Sequence, residues 1–188
     1  MLFRSDQRNA GASVSITTNG QYTLDRWKAL GNNASKYTVQ QTPSATETGY
    51  ATRVSAGFTN YLACTSSAAT TVASSDYYLL RQLIEGYNVS DLAWGTSGAK
   101  TVTLSFWAYS SLTGTFSIGL SNNAQDRSYV ATYTVSSSNT WTYITLTVPG
   151  DTSGTWTTDN TLGLAIFWGL GVGSTYSGSA TGAWQAAT

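Results

Sequence analysis

The stretch TVTLSFWAYS, residues 101–110, places Val102, Leu104, Phe106 and Ala108 on one side and Thr101, Thr103, Ser105, Trp107 and Tyr109 on the other. Only a β-strand sorts side chains with a period of two. The first set reads as core. The second carries two large rings where a solvated sheet face carries polar groups, so it is either covered by protein or kept as a landing surface. The stretch WTYITLTVP, residues 141–149, repeats the arrangement: Ile144, Leu146 and Val148 point inward, which throws Trp141 and Tyr143 outward.

The same alternation recurs along the chain, closed each time by turn chemistry. SVSITT (13–18) leads into Asn19-Gly20, the strongest short hairpin signal, and then into QYTLDRW (21–27). KYTVQQTP (36–43) ends at Pro43, which cannot donate to a ladder. YATRVSAGF (50–58), DYYLLRQLI (76–84), GTFSIGLS (114–121), SYVATYTV (128–135) and TLGLAIFWGL (161–170) read as further strands. Helix is expected only at NVSDLAWG (88–95), where Asn88 and Asp91 have capping-box spacing and Gly95 can close the C-terminus. Hydroxyl-rich segments 65–75, 136–140 and 150–160 read as loops. The fold class expected is all-β: a single-domain β-sandwich over 1–188, a jelly roll by its strand pattern. It would have strands and a hairpin in 1–30, a main strand-rich region at 77–184 and at most one short helix.

With 188 residues the chain is long enough to support its own core. Charged residues are only 10% of it, against roughly 25% in an average domain. Its 31 Thr and 25 Ser take over the solvation, and β-branched Thr suits exposed strand faces. Nine basic residues balance nine acidic ones, which disfavours nucleic acid and attachment to anionic lipid. The lone Cys64 in YLACTSS reads as a small buried group. No apolar run is long enough to span a bilayer, and MLFRSDQRN turns polar too early for a secretory h-region, so synthesis in a cytoplasm is expected.

The chain has no His, which removes a Ser-His-Asp triad, a Cys-His pair, a HExxH site and the usual general base together. Gly169, Gly171 and Gly173 have no Lys-Ser/Thr pair after them and read as a turn rather than a phosphate cradle. Two carboxylates would suffice for glycoside hydrolysis, but the acids are scattered and most sit beside turn residues, where they bond their own backbone. A non-enzymatic protein is therefore expected. The metal reading that the chain allows is a structural Ca²⁺ held by Asp126, Asp151 and Asp159 with neighbouring carbonyls, although no EF-hand-like spacing supports it.

The aromatics remain. Sugar rings present C–H patches to an aromatic face and hydroxyls to flanking polar groups, so Trp107, Tyr109, Trp141 and Tyr143 are candidates for a saccharide platform. Asp126, Arg127 and Tyr129, in QDRSY, are candidates to supply hydrogen bonds from an adjacent loop. The alternative is that these rings pack beneath a long loop, such as residues 42–75, or lie between subunits. Trp156, Tyr176 and Trp184 are weaker candidates.

Several segments together resemble a domain found at the ends of bacteriophage tail fibres and on related virion surface proteins. They are DQRNAGASVSI and YTLDRW within 6–27, QLIEGYN at 82–88, LSFW at 104–107 and DRSYVATYTV at 126–135, then TWTYITLTVPGDTSGTW at 140–156, GLGVGSTY at 169–176 and GAW at 182–184. The resemblance implies a jelly-roll module similar to carbohydrate-binding modules, carried on a virion and meeting host surface glycans. The family offers no catalytic or cofactor motif to carry over, so the candidate residues rest on strand parity. Implied partners are other virion proteins, further copies of the chain in a homo-oligomer such as a trimer, and a cell-surface glycan. Without the anchoring region and shaft of a complete fibre, the chain reads as an excised tip or a small decoration protein of a capsid, neck or baseplate. The alternative function is a purely structural decoration or assembly subunit with no glycan ligand.

Overall fold

Alternating β-branched and aromatic residues form strands at nearly all the positions where the pattern predicts them, and nowhere among the described residues does a regular α-helix form. The computed structural model describes residues 6–43, 57–177 and 180–186. The fold is an all-β sandwich. Most of the strand expected over 50–58 lies outside the described residues. The chain divides into two compact units, residues 1–80 with 170–177 and residues 81–169 with 178–188.

The first unit contains β1 (Val14–Ser15), β2 (Gln21–Tyr22), β3 (Trp27–Gly31), β4 (Tyr37–Pro43), β5 (Asn60–Ser66) and the first half of β6 (Tyr77–Glu85). β4 pairs with β1 on one side and along its whole length with β5 on the other, from Tyr37 opposite Ser66 to Pro43 opposite Asn60. Ile16, Leu24, Ala29, Val39, Tyr78 and Leu80 are buried. Tyr37 is buried with them and meets Tyr78 edge-on at 6.4 Å. Its hydroxyl is shared between the carbonyls of Leu30 and Leu79, 3.0 Å from each, as a buried phenol requires. Asp76 ties the loops: its carboxylate accepts from Asn32 Nδ2, Asn33 Nδ2 and the Ala73 backbone N–H.

The second unit contains the remainder of β6, then β7 (Val102–Ala108), β8 (Gly114–Ser121), β9 (Arg127–Val135), β10 (Thr142–Val148), β11 (Leu162–Val172, up to residue 169) and β12 (Trp184–Ala186). β8 and β9 form a hairpin around the turn 122–126, β11 pairs with the free edge of β8, and β12 with that of β9. β7 and β10 form a separate antiparallel pair. Between the two layers lie Ile118, Leu120, Val148, Leu164 and Ile166, with Val102, Leu104, Phe106 and Leu146 packed against them. This is sheet-on-sheet packing.

Three local expectations are corrected. Asn19-Gly20 does not join a hairpin, because β1 pairs with β4 whereas β2 pairs with β3. The Gln21 side chain takes the place of a β1–β2 ladder: its Oε1 accepts from the Thr17 N–H and its Nε2 donates to the Ser15 carbonyl. The hairpin lies one step later, between β2 and β3. In place of a capped helix over 88–95 the chain forms two 3₁₀ turns, Gly86–Asn88, which ends at the segment's first residue, and Ser90–Leu92 within it. Asn88 donates to Glu85 instead of capping, and two turns are too short to repay helix nucleation. NYLACTS, not foreseen as a strand, is β5.

Candidate functional site

Phe106 and Trp107 are neighbours with opposite fates. Phe106 is held edge-on by Tyr133 at 5.2 Å and Trp168 at 6.1 Å, inside the layer of apolar side chains. That anchor turns the next side chain outward. In the β7–β10 register Trp107 stands opposite Tyr143, while Phe106 stands opposite buried Ile144. The Trp107 and Tyr143 rings are 5.2 Å apart at 51°, and one row further Tyr109 and Trp141 are 5.2 Å apart at 42°. Tyr143 is 55% exposed and Tyr109 36%, while the two indoles are half-buried beside them.

The same face continues as exposed hydroxyls, with Ser105 opposite Thr145 and Thr103 opposite Thr147. At two residues per row, the four rows span about 20 Å along the strands. Loops 109–113 and 136–141 brace the aromatic end. The Asn139 N–H donates to the Ser110 carbonyl at 2.7 Å, and the Tyr109 hydroxyl to Asn139 Oδ1 at 3.3 Å. Leu112, 69% exposed, lies in the first of these loops.

Asp126, Arg127 and Tyr129 do not join this face. β8 runs from loop 109–113 to the turn 122–126, so the turn lies at the other end of the sandwich, where β10 leaves toward Asp151. Arg127 donates from Nε to Asp151 Oδ2 at 2.7 Å and from Nη2 to Oδ1 at 2.8 Å, and Asp151 is almost fully buried. The paired carboxylate raises the guanidinium pKa further. Asp126 accepts from Asn122 Nδ2, and Tyr129 is buried against Trp184 at 5.4 Å. Sequence parity says which face a residue takes, but not at which end its turn sits.

Asp126, Asp151 and Asp159 are not gathered for a cation. Asp159 accepts from the Thr161 N–H and hydroxyl, which hold its carboxyl below the ordinary value. Among the described residues no cluster of three metal-ligating side chains occurs. Cys64 is half-buried and its thiol is pushed up to about 12 by burial, which leaves it protonated and unreactive at neutral pH.

Sequence reading missed a knot of Trp94, Trp156 and Trp184, with ring centroids 4.8–5.3 Å apart. Their spacing along the chain gives no signal, because two loops and the short strand β12, rather than one strand, bring them together. The three indole N–H groups donate to the carbonyls of Lys100, Ser153 and Pro149. A pocket of about 270 Å³ opens beside Trp94 and Trp156, lined also by Ser90, Thr96 and Thr157. Those three hydroxyls already donate to backbone carbonyls of Tyr87, Ala93 and Leu162. The knot ties the loops that carry Trp94 and Trp156 to β12, and the three hydroxyls keep lone pairs that can accept.

No protein-family model, curated protein or solved structure matches the chain.

Proposed function

We propose that the chain is a non-catalytic recognition module of a bacteriophage particle surface. It binds host-surface or environmental polysaccharide through Trp107, Tyr109, Trp141 and Tyr143. The observation that carries this reading is the pairing of four large rings in two adjacent rows on a rigid sheet face, with exposed hydroxyls beside them. Stacking on C–H patches and hydrogen bonding to the hydroxyl rows are the two interactions that a pyranose offers. The likeness of segments such as DRSYVATYTV and TWTYITLTVPGDTSGTW to virion surface domains supports the particle context. Weak single sites gain avidity when a particle displays many copies. A glycan array probed with a multimerised sample tests the reading: saccharide signals should fall when Trp107 or Trp141 becomes Ala, and silence across a broad array contradicts it.

The second reading is a structural decoration subunit whose aromatic face is covered by another copy. The exposure of Tyr109, Tyr143 and Leu112 at one end favours it, since such patches also mark interfaces. Mass measurement by light scattering separates the two. A stable oligomer in which Trp107→Arg produces monomers supports the structural role, and a strictly monomeric protein removes the covering copy.

A further inference from the structure

A longer pattern bears on which glycan the face accepts. Residues 101–125 and 128–150 contain no Asp, Glu, Lys or Arg, so β7, β10 and the loops 109–113 and 136–141 present no charge at all. The nearest charges along the chain are Lys100 ahead of β7 and Asp151 beyond β10, at the end away from Tyr109 and Trp141. Asp151 is moreover consumed by Arg127.

An anionic glycan would find no cation on these strands and loops to offset the loss of its hydration. It would also meet the electron-rich faces of four rings, which repel negative charge. A neutral chain has neither difficulty. The rows run along the strands over about 20 Å, a length that accepts several pyranose units rather than one. The tilts of 51° and 42° within the ring pairs prevent a single flat plane, so the face matches a twisted single chain better than the flat surface of a crystalline fibre.

Resting on the saccharide-binding reading above, we propose that the β7–β10 face selects neutral, soluble polysaccharide chains laid along the strands and rejects uronate- or sulfate-bearing ones. Shape and C–H stacking, not charge, provide the recognition. Binding is therefore insensitive to salt.

Affinity electrophoresis of the intact chain in gels carrying dextran, galactomannan or xyloglucan, or else alginate, hyaluronan or heparin, tests this. The expected result is retardation by at least one neutral polymer and by none of the anionic ones. Between 20 and 500 mM salt, about a twenty-fivefold range of ionic strength over which the Debye length falls from roughly 20 to 4 Å, the affinity should change by less than about twofold. Tyr143→Ala and Trp107→Ala should weaken it at least about tenfold, and Trp107→Phe, which keeps a stacking ring, by much less. Salt-sensitive retardation by an anionic polymer that these variants weaken overturns the neutral selectivity while leaving the aromatic face as the site. Retardation by neutral polymers that the variants leave unchanged removes the face itself. No retardation by any polymer overturns both.

Discussion

Trp107 and Tyr143 stand directly opposite each other on β7 and β10, their rings 5.2 Å apart, on the face turned away from the Phe106–Ile144 pair. The relationship makes adjacent residues of one strand energetically unlike. Phe106→Ala should cost about 2–4 kcal/mol by removing a partly buried ring that packs against the core. Trp107→Ala should cost only about 1 kcal/mol, the scale of a cross-strand aromatic pair. Urea unfolding of the two variants checks this, and equal losses would contradict the parity.

The Arg127–Asp151 pair closes the opposite end of the sandwich. Asp151→Asn removes the charge facing a largely buried guanidinium, and a loss of about 3 kcal/mol is expected. Equilibrium denaturation reads it directly; a loss below about 1 kcal/mol would mean that solvent already screens the pair.

Gly154 sits at φ +78°, and a Cβ there would run into the Arg127 side chain. Gly154→Ala should therefore destabilise by about 1–3 kcal/mol through backbone strain and displacement of the ion pair. Gly98, with ordinary φ and only an ordinary contact to Thr96 Oγ1 at 3.7 Å where a Cβ would sit, is the control, and Gly98→Ala should leave the melting temperature nearly unchanged.

The Ala73 N–H, with Asn32 and Asn33, holds the Asp76 carboxyl below its usual pKa. A depressed folded-state value means stability that is fully present above the unfolded pKa of about 4 and is lost as pH falls through the folded value. Melting temperature should be flat from about pH 6 to 8, where a chain without His has no side chain of ordinary pKa to titrate, and should fall below about pH 4. Asp76→Asn should flatten that acid limb in a thermal scan across pH.

The strands that the sequence reveals are those whose inner side chains are large. β7 and β10 alternate Val, Leu, Ile and Phe with Thr, so both the strand and its faces are legible. β5 sets the large Tyr61 and Leu62 side by side and then the small Ala63 and Cys64, so neighbouring residues on its two faces differ little and the pattern carries no contrast to read. The β1–β4 pairing was hidden because Gln21 replaces backbone partners with a side-chain amide, a choice that no periodicity records. Of the candidate site, the four outward rings were legible from parity. The removal of Asp126, Arg127 and Tyr129 from it was not, because that depends on which end of the sandwich each turn reaches.

A saccharide-binding Trp107–Tyr143 face is open in the free protein and covered when a neutral glycan lies on it. Hydroxyl-radical footprinting read by mass spectrometry tests both halves in one measurement. Tyr143 and Tyr109 should be oxidised readily in the free chain and protected by a neutral polysaccharide, while Tyr87, exposed elsewhere, stays equally reactive in both samples. A Tyr143 unreactive in the free chain, or one whose reactivity no neutral polysaccharide changes, would contradict the account.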